Sequence, residues 1–500
     1  MKKFIYLIVL IWSIPLNAVV VQVDGIYYEV INKTKQATVY SSYGKYSGDI
    51  QIPATISYNA ATYDVIGIGE AAFSSCPNLF SVSIPETILT IGDNAFYGDP
   101  NLKSKNIPSS VISIGKEAFL GCSKLTSMVF PESVLHIGEA AFRDCKNIVT
   151  ISLPNSIKTI ENSTFSGCTS LLGIDIPQSV ENIGAGAFSG CLNLSDVVIP
   201  NSVIDIGNRA FMGCKALTSI ALPNSISNLR NELFQSCESL TLVSIPESIS
   251  SIGYSTFYGC TQLKTIFLPT SITSIGYSAF GMCSSLETIE LPLMIKSLNY
   301  GMFYGCSSLK SITIPESVES IGTHCFYECF NLANISIPES VSSIGDHAFA
   351  YCRNLSEITL PKNLHVIENA LFQGCSLLST ITIKAKSLSS IKSEAFAQCE
   401  ELTDVFCYAE SFDNIAADAF TGAYVNYATL HVPAASIEAY RTAKPWNDFL
   451  NIVAIDSPTN IRERTFDKKT NKPAYDLYGR RLKELRKGIN IVGKRKIIVK

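Results

Sequence analysis

The chain has 500 residues, 47% of them hydrophobic and 16% charged, and a net charge of −4. That apolar content excludes intrinsic disorder for the bulk of the chain. The small net charge hides a split: residues 461–500 carry 14 Lys or Arg against 4 Asp or Glu, a net of +10, so the remainder sums to −14.

Met1-Lys2-Lys3 is followed by an apolar run from Phe4 to Leu16 and then by Asn17-Ala18. A charged start, a short apolar stretch and a small residue make residues 1–18 a secretory signal peptide, with cleavage expected near Ala18. A membrane anchor is the alternative. The run of 13 residues falls short of the roughly 20 a helix needs to span a bilayer. No later segment is long and apolar enough, so no transmembrane segment is expected after cleavage. A lipid-anchored mature end is disfavoured because no cysteine precedes Cys76. The basic tail alone would suggest nucleic acid, but an exported start argues against that partner.

From Pro85 to Pro361 a proline recurs every 23 residues, and a phenylalanine follows eleven residues behind each, from Phe96 to Phe372. So strict a period means one small unit stacked on itself, each turn touching only its neighbours. The unit Leu240–Cys260 shows the expected parts. Leu240, Val243 and Ile245 alternate as a short strand with one buried face. Pro246 ends it, because proline has no N–H for the ladder. Ser248 is expected to bond the turn's own backbone. Ile249 and Ile252 form a second apolar pair, and Gly253 is expected to take a positive φ at a corner. Residues 255–260 are expected to form a helical turn that drops Phe257 into the core. At the inter-strand spacing, about 16 turns would make a rod or arc of roughly 75 Å. The edges of the array are irregular. Asp99 replaces the repeat cysteine, and Lys105 stands where an inward Val or Ile is expected, its charge reaching water. Further on, the spacing becomes 24, with Phe396 and Phe420, and Lys384 takes the proline position.

The recurring string IPESVxSIGxxAFxGCxxLxxIxIP, from about Phe73 to Cys399, resembles the BspA-like leucine-rich repeat. The resemblance implies a β-rich (α/β) repeat solenoid over residues 67–422 with β caps at both ends. Asp24–Glu29 with Gly48–Pro53 resembles the family's N-terminal cap, residues 19–66. Ala428–Pro433, Ala439-Tyr440 and Trp446–Phe449 resemble its C-terminal cap, residues 423–455. It also implies a secreted or cell-surface bacterial-type protein, often linked to adhesion to host or matrix proteins. Beyond a linker at 456–473, residues 474–500 show short strands at Tyr475–Arg481, Gly488–Val492 and Lys496–Lys500. This tail resembles the terminal motif of a type IX secretion sorting signal, which would attach the protein to the outer membrane. The alternative is a basic β appendage folded onto the cap.

Sixteen cysteines in an exported chain invite a disulfide framework. Fourteen of them sit three residues after a repeat phenylalanine, with Cys325 and Cys407 outside that column. Side chains stacked in one direction disfavour the disulfide torsion, so a buried column of free thiols is expected. His324 and His347 lie one period apart and should stack at the surface, without an evident third metal ligand. His136, His365 and His431 are scattered. No Gly-x-Ser-x-Gly, phosphate-loop or His-Glu-x-x-His motif is present, so no enzyme, catalytic residue, metal or cofactor is expected. The outward strand positions Ser83, Ser152, Ser244, Thr313, Ser336 and Thr359 make a flat hydroxyl-rich face, broken by Asp175, Phe267 and Glu290. Tyr254, Tyr277 and Tyr300 hold one position in three consecutive units, with Tyr258 and Tyr304 nearby. They are the candidate partner-binding residues, an exposed aromatic ridge suited to an extracellular protein. A glycan is the alternative ligand, though the tryptophans usual in sugar platforms are confined to Trp12 and Trp446.

Overall fold

The computed structural model describes residues 18–41, 46–103, 106–455, 474–475, 481–482, 488–492 and 495–499. The expected signal peptide apart from Ala18, the expected linker 456–473, and Lys105 lie outside the described residues.

Each turn of the chain contributes two short strands, and each pairs in parallel with its counterpart one turn away. In one ladder Ile151 faces Ile174 and Ile174 faces Val197. In the other Ile160 faces Ile183 and Ile183 faces Ile206. The alternation buries Ile151 and Ile174 and leaves Ser152 and Asp175 exposed, as a two-residue side-chain period requires. The result is a β-solenoid of about 17 turns, one more than expected. Its contacts divide it into two units, Met1–Leu355 and Ser356–Lys500.

In the first unit the chain enters through strands β1 (Ala18–Val23), β2 (Ile26–Ile31) and β3 (Gln36–Val39), all antiparallel neighbours. The strands β4 (Gly48–Gln51), β5 (Thr55–Tyr58) and β6 (Ala61–Ile68) follow. β6 pairs in parallel with β3, and its Gly67-Ile68 end pairs with Thr90-Ile91 of the first regular turn. The antiparallel entry therefore supplies a ready ladder for the repeats. In the second unit, strands Glu357–Leu360, Thr380–Ile383, Asp404–Cys407, Thr429–Val432 and Asn451–Ala454 form one parallel sheet. A short helix, Ile437–Thr442, and Trp446 follow its fourth strand. The tail strands Ala474–Tyr475, Arg481–Leu482, Gly488–Val492 and Arg495–Val499 form a separate antiparallel sheet.

The phenylalanines line the interior as stacked rings. In the first unit Tyr46 packs on Phe73 at 4.9 Å, Phe73 on Phe96 at 5.2 Å, and the series continues to Phe326–Phe349 at 5.3 Å. In the second unit Phe372, Phe396 and Phe420 stack at 5.6 and 5.0 Å, and Trp446 packs on Phe420. Offset aromatic pairs add about 0.5–1.5 kcal/mol each beyond their burial.

None of the sixteen cysteines is in a disulfide, and all are buried. From Cys122 to Cys352 the repeat thiols donate to the carbonyl of the phenylalanine 26 residues earlier, as Cys283 does to Phe257 at 3.1 Å and Cys306 to Phe280 at 3.1 Å. Each sulfur is thus aimed at a backbone acceptor, not at the next sulfur. Burial pushes the Cys237 and Cys283 thiols up to about 12, so they stay protonated and unreactive. Ellman's reagent is therefore expected to label almost none of the sixteen in the native chain and all of them in guanidinium chloride. Fast labelling of several native thiols would contradict the column.

Three local expectations are corrected. Residues 255–260 are not a helical turn. Ser255 and Gly259 take left-handed φ values of 50° and 73°. The N–H groups of Ser255, Phe257 and Gly259 point to the next turn and donate to Tyr277, Ala279 and Gly281, each at 2.8 Å. A third, irregular ladder thus replaces intrahelical bonding. The corner glycines do not carry the positive φ. A Cβ on Gly276 would lie 2.4 Å from the Tyr254 amide nitrogen and 2.6 Å from the Gly253 carbonyl carbon, so close approach of adjacent turns selects glycine there. Glu161, Arg230 and Asn299 hold that position in other turns, which makes it a preference and not an absolute need. Finally, the serine after proline bonds the preceding turn: Ser248 Oγ donates to the Ile226 carbonyl at 2.7 Å, and Ser271 to Ile249 at 2.6 Å.

Candidate functional site

The irregular ladder decides what this side of the solenoid displays. The serines, histidines and tyrosines that flank the buried phenylalanine, at left-handed φ or just after it, reach the surface in part, whereas Gly281, Gly301 and Ala350 are covered. In five successive turns the position two before the phenylalanine reads Ser255, Ser278, Gly301, His324, His347, with φ between 50° and 57°. The position just after it reads Tyr258, Gly281, Tyr304, Tyr327, Ala350. Small residues and large rings are therefore neighbours in space, and a cavity of about 370 Å³ opens between them. Tyr258, Ser278, Tyr300, Gly301, Tyr304, His324 and Tyr327 line it.

Two glycines create the opening. At Gly281 the Tyr258 ring leans into the space a side chain would take, its Cδ2 only 2.7 Å from where a Cβ would lie. At Gly301 a Cβ would meet Ser278 Oγ at 3.0 Å. Aromatic contacts brace the wall. Tyr304 stacks on Tyr327 at 5.5 Å and 19°, His324 stacks on His347 at 4.9 Å and 8°, and Tyr351 meets Tyr327 edge-on at 5.4 Å. The histidine stack expected from their 23-residue spacing is present. Nδ1 of both imidazoles is buried without a hydrogen-bond partner.

The three tyrosines singled out by register are exposed, Tyr254 by 41%, Tyr277 by 61% and Tyr300 by 52%. Their backbones sit on consecutive turns: Ser255 donates to the Tyr277 carbonyl and Ser278 to that of Tyr300. Tyr300 turns toward His324, with ring centres 5.7 Å apart, and so joins the cavity. Tyr254 and Tyr277 do not line it. Sequence reasoning missed Tyr327 and the part His324 plays, although the signal was available: each lies one period after Tyr304 and Gly301.

Two carboxylates, Glu328 and Asp346, act on groups that line the site. Burial, and then the Glu328 carboxylate, raise the Tyr304 and Tyr327 phenols above their ordinary value. Burial, and then the neighbouring His347, lower His324. At neutral pH the phenols and the His324 imidazole are thus uncharged, and no lysine or arginine is among the lining residues. Elsewhere in this unit cations are matched to acids one turn away, as in Lys158–Glu181 at 3.0 Å and Lys215–Glu238 at 2.8 Å. Such exposed pairs contribute little to stability.

The BspA type leucine rich repeat region matches residues 55–172, 89–218, 205–333 and 319–442. The chain belongs to this family. BspA-type repeat proteins are cell-surface proteins, and their fold is typically non-catalytic and points to protein–protein recognition. The chain is 28% identical to a leucine-rich repeat protein of known structure from Bacteroides ovatus. That match has a TM-score of 0.61 and covers 87% of this chain and 100% of that one. A leucine rich cell surface protein from Faecalibacterium prausnitzii is 24% identical over 88% of this chain and 96% of that one, with a TM-score of 0.34. The pneumococcal vaccine antigen PcpA is 18% identical over 88% and 99%, with a TM-score of 0.44. None of the curated proteins matches the chain. Among the described residues of this BspA-type chain, no group of three or more His, Cys, Asp and Glu is placed to hold a metal. Also among them, no helix is long and apolar enough to cross a membrane.

A second surface feature of the BspA-type array lies on and beside its outward strand face. Phe267, Leu293 and Met294 are exposed by 75%, 73% and 61%. Leu293 and Met294 stand where other turns carry polar residues such as Glu247-Ser248.

Proposed function

We propose that this is a non-catalytic cell-surface or secreted protein that recognises extracellular proteins, with adhesion to host or matrix proteins as its role. One observation carries the reading: rings exposed in register on consecutive turns, at Tyr254, Tyr277 and Tyr300, beside an aromatic cavity. Tyrosine brings a large rigid contact area with few rotatable bonds, which favours it at protein interfaces. Repetition lets several modest contacts add through effective concentration. In this reading the signal peptide exports the chain, residues 19–66 and 423–455 cap the array, and the tail is a sorting signal for type IX secretion and outer-membrane attachment.

The test is capture of proteins from host or matrix extract by the full chain and by a triple variant, Tyr254→Ser, Tyr277→Ser and Tyr300→Ser. The three side chains are exposed, so the melting temperature should move by no more than a few degrees, while capture falls at least about tenfold. Undiminished capture by the variant would remove the tyrosines from the interface. Binding to a glycan array in place of proteins would favour a carbohydrate ligand.

A further inference from the structure

Resting on the recognition reading, we propose that the cavity between Tyr258, Tyr300, Tyr304 and Tyr327 receives a cationic side chain, an arginine above all, presented by the protein partner. The cavity of about 370 Å³ is within the range of small-ligand pockets and has room for a guanidinium group with part of its stem. Four of its seven lining residues are tyrosines and a fifth is the neutral imidazole of His324. Aromatic faces are negative at their centres, so a wall of them attracts a cation, and arginine's flat, weakly hydrated guanidinium stacks on such faces best. The charge around the cavity has the matching sign. Glu328 acts on both Tyr304 and Tyr327, no cation lines the cavity, and the chain before residue 461 sums to −14. A neutral sugar could stack on the same rings, but it carries no charge to complement Glu328.

The pocket also depends on what the sequence withholds. A larger side chain at Gly301, which lines the cavity, would enter it, and one at Gly281 would displace the Tyr258 ring that forms a wall. A void bounded by rings on consecutive turns is a feature that recognition of a single protruding group explains.

The experiment is a calorimetric or NMR titration of the full chain with three probes: N-acetyl-arginine amide, its neutral isostere N-acetyl-citrulline amide, and maltotriose. The arginine probe is expected to bind with a Kd on the order of a few millimolar, about 3–30-fold tighter than citrulline. Tyr304→Leu and Tyr327→Leu, which keep apolar bulk but remove the ring, should each weaken it about 3–30-fold. Tyr304→Phe, which keeps the ring, should bind nearly as well as the parent. Glu328→Gln should weaken binding and flatten its salt dependence. The proposal is overturned by equal binding of arginine and citrulline, by no arginine binding, or by preferential binding of maltotriose that Tyr304→Leu abolishes. Partner capture in parallel separates the two readings. Capture without arginine binding discards the cationic pocket alone. Arginine binding without protein capture leaves the pocket and discards the protein-recognition role.

Discussion

Replacing Phe257 with alanine is expected to cost about 3–5 kcal/mol, the usual range for emptying a buried aromatic site. The ring is fully buried and stacks on Phe234 at 5.7 Å and on Phe280 at 5.6 Å, so its loss opens both faces of one turn. Neighbouring turns cannot close the gap, because the ladder through Ser251-Ile252 and the irregular ladder through Phe257 hold their spacing on both sides. In a solenoid the damage stays local, since each turn's stability rests on adjacent interfaces. Native-state hydrogen exchange should therefore show a drop in protection centred on the amides of Phe234, Phe257 and Phe280, with distant turns little changed. Phe257→Leu, which keeps most of the volume, is expected to cost less than half as much. A loss below about 1 kcal/mol for the alanine variant would mean that the ring column is not what holds adjacent turns together.

A comparable loss, again about 3–5 kcal/mol, is expected for Trp446→Ala. Trp446 is fully buried and meets Phe420 at 5.6 Å, Tyr440 at 5.2 Å and Phe412 at 6.1 Å. It closes the open end of the phenylalanine stack in the second unit. Without it, Phe420 and the face of the last repeat would meet water, and a repeat whose outer face is apolar frays. Limited proteolysis should then cut first between residues 409 and 455, while the turns before Leu355 resist. Unchanged resistance in that segment would assign the capping role elsewhere.

Much of this architecture was legible because the repeat applies the same test at every turn. The inward Ile and Leu positions, the ring stack and the thiol column follow from period and polarity alone. What failed was local reading. Ser255–Cys260 has no residue that forbids a helix, yet its alternate N–H groups are drawn outward to the next turn, and that pull outweighs intrinsic preference. Gly253 and its equivalents suggested a left-handed corner, but the left-handed residue is Ser255, and the glycines answer to an approaching backbone 23 residues away. Ser248 looked like a turn residue, and its acceptor is Ile226 on the preceding turn. In each case the deciding partner is distant in the chain. The candidate site divides in the same way. Register predicted the exposure of Tyr254, Tyr277 and Tyr300 and the stacking of His324 on His347. The cavity depends on where the Tyr258 ring leans and on two missing side chains, and neither is visible in a pattern of types.

The uniform register has a consequence for how such a chain can change in length. Because the ladders of the regular turns join residue i to its counterpart 23 positions away, excising or duplicating one whole period there preserves all interior columns. Unequal crossing-over between like segments of the gene would do this in one step. An insertion of one residue instead swaps inside for outside along a strand and survives only where it can be absorbed. The second unit shows such a place: Leu360 pairs with the region 23 residues on, at Ile383, but Ile367 pairs with Ile391, 24 residues on. The extra residue is taken up between Ile383 and Ser390, where the strand Ser387–Leu388 forms. The array thus tolerates growth in whole turns and confines odd lengths to its margin, so its surface can be lengthened without redesigning its interior.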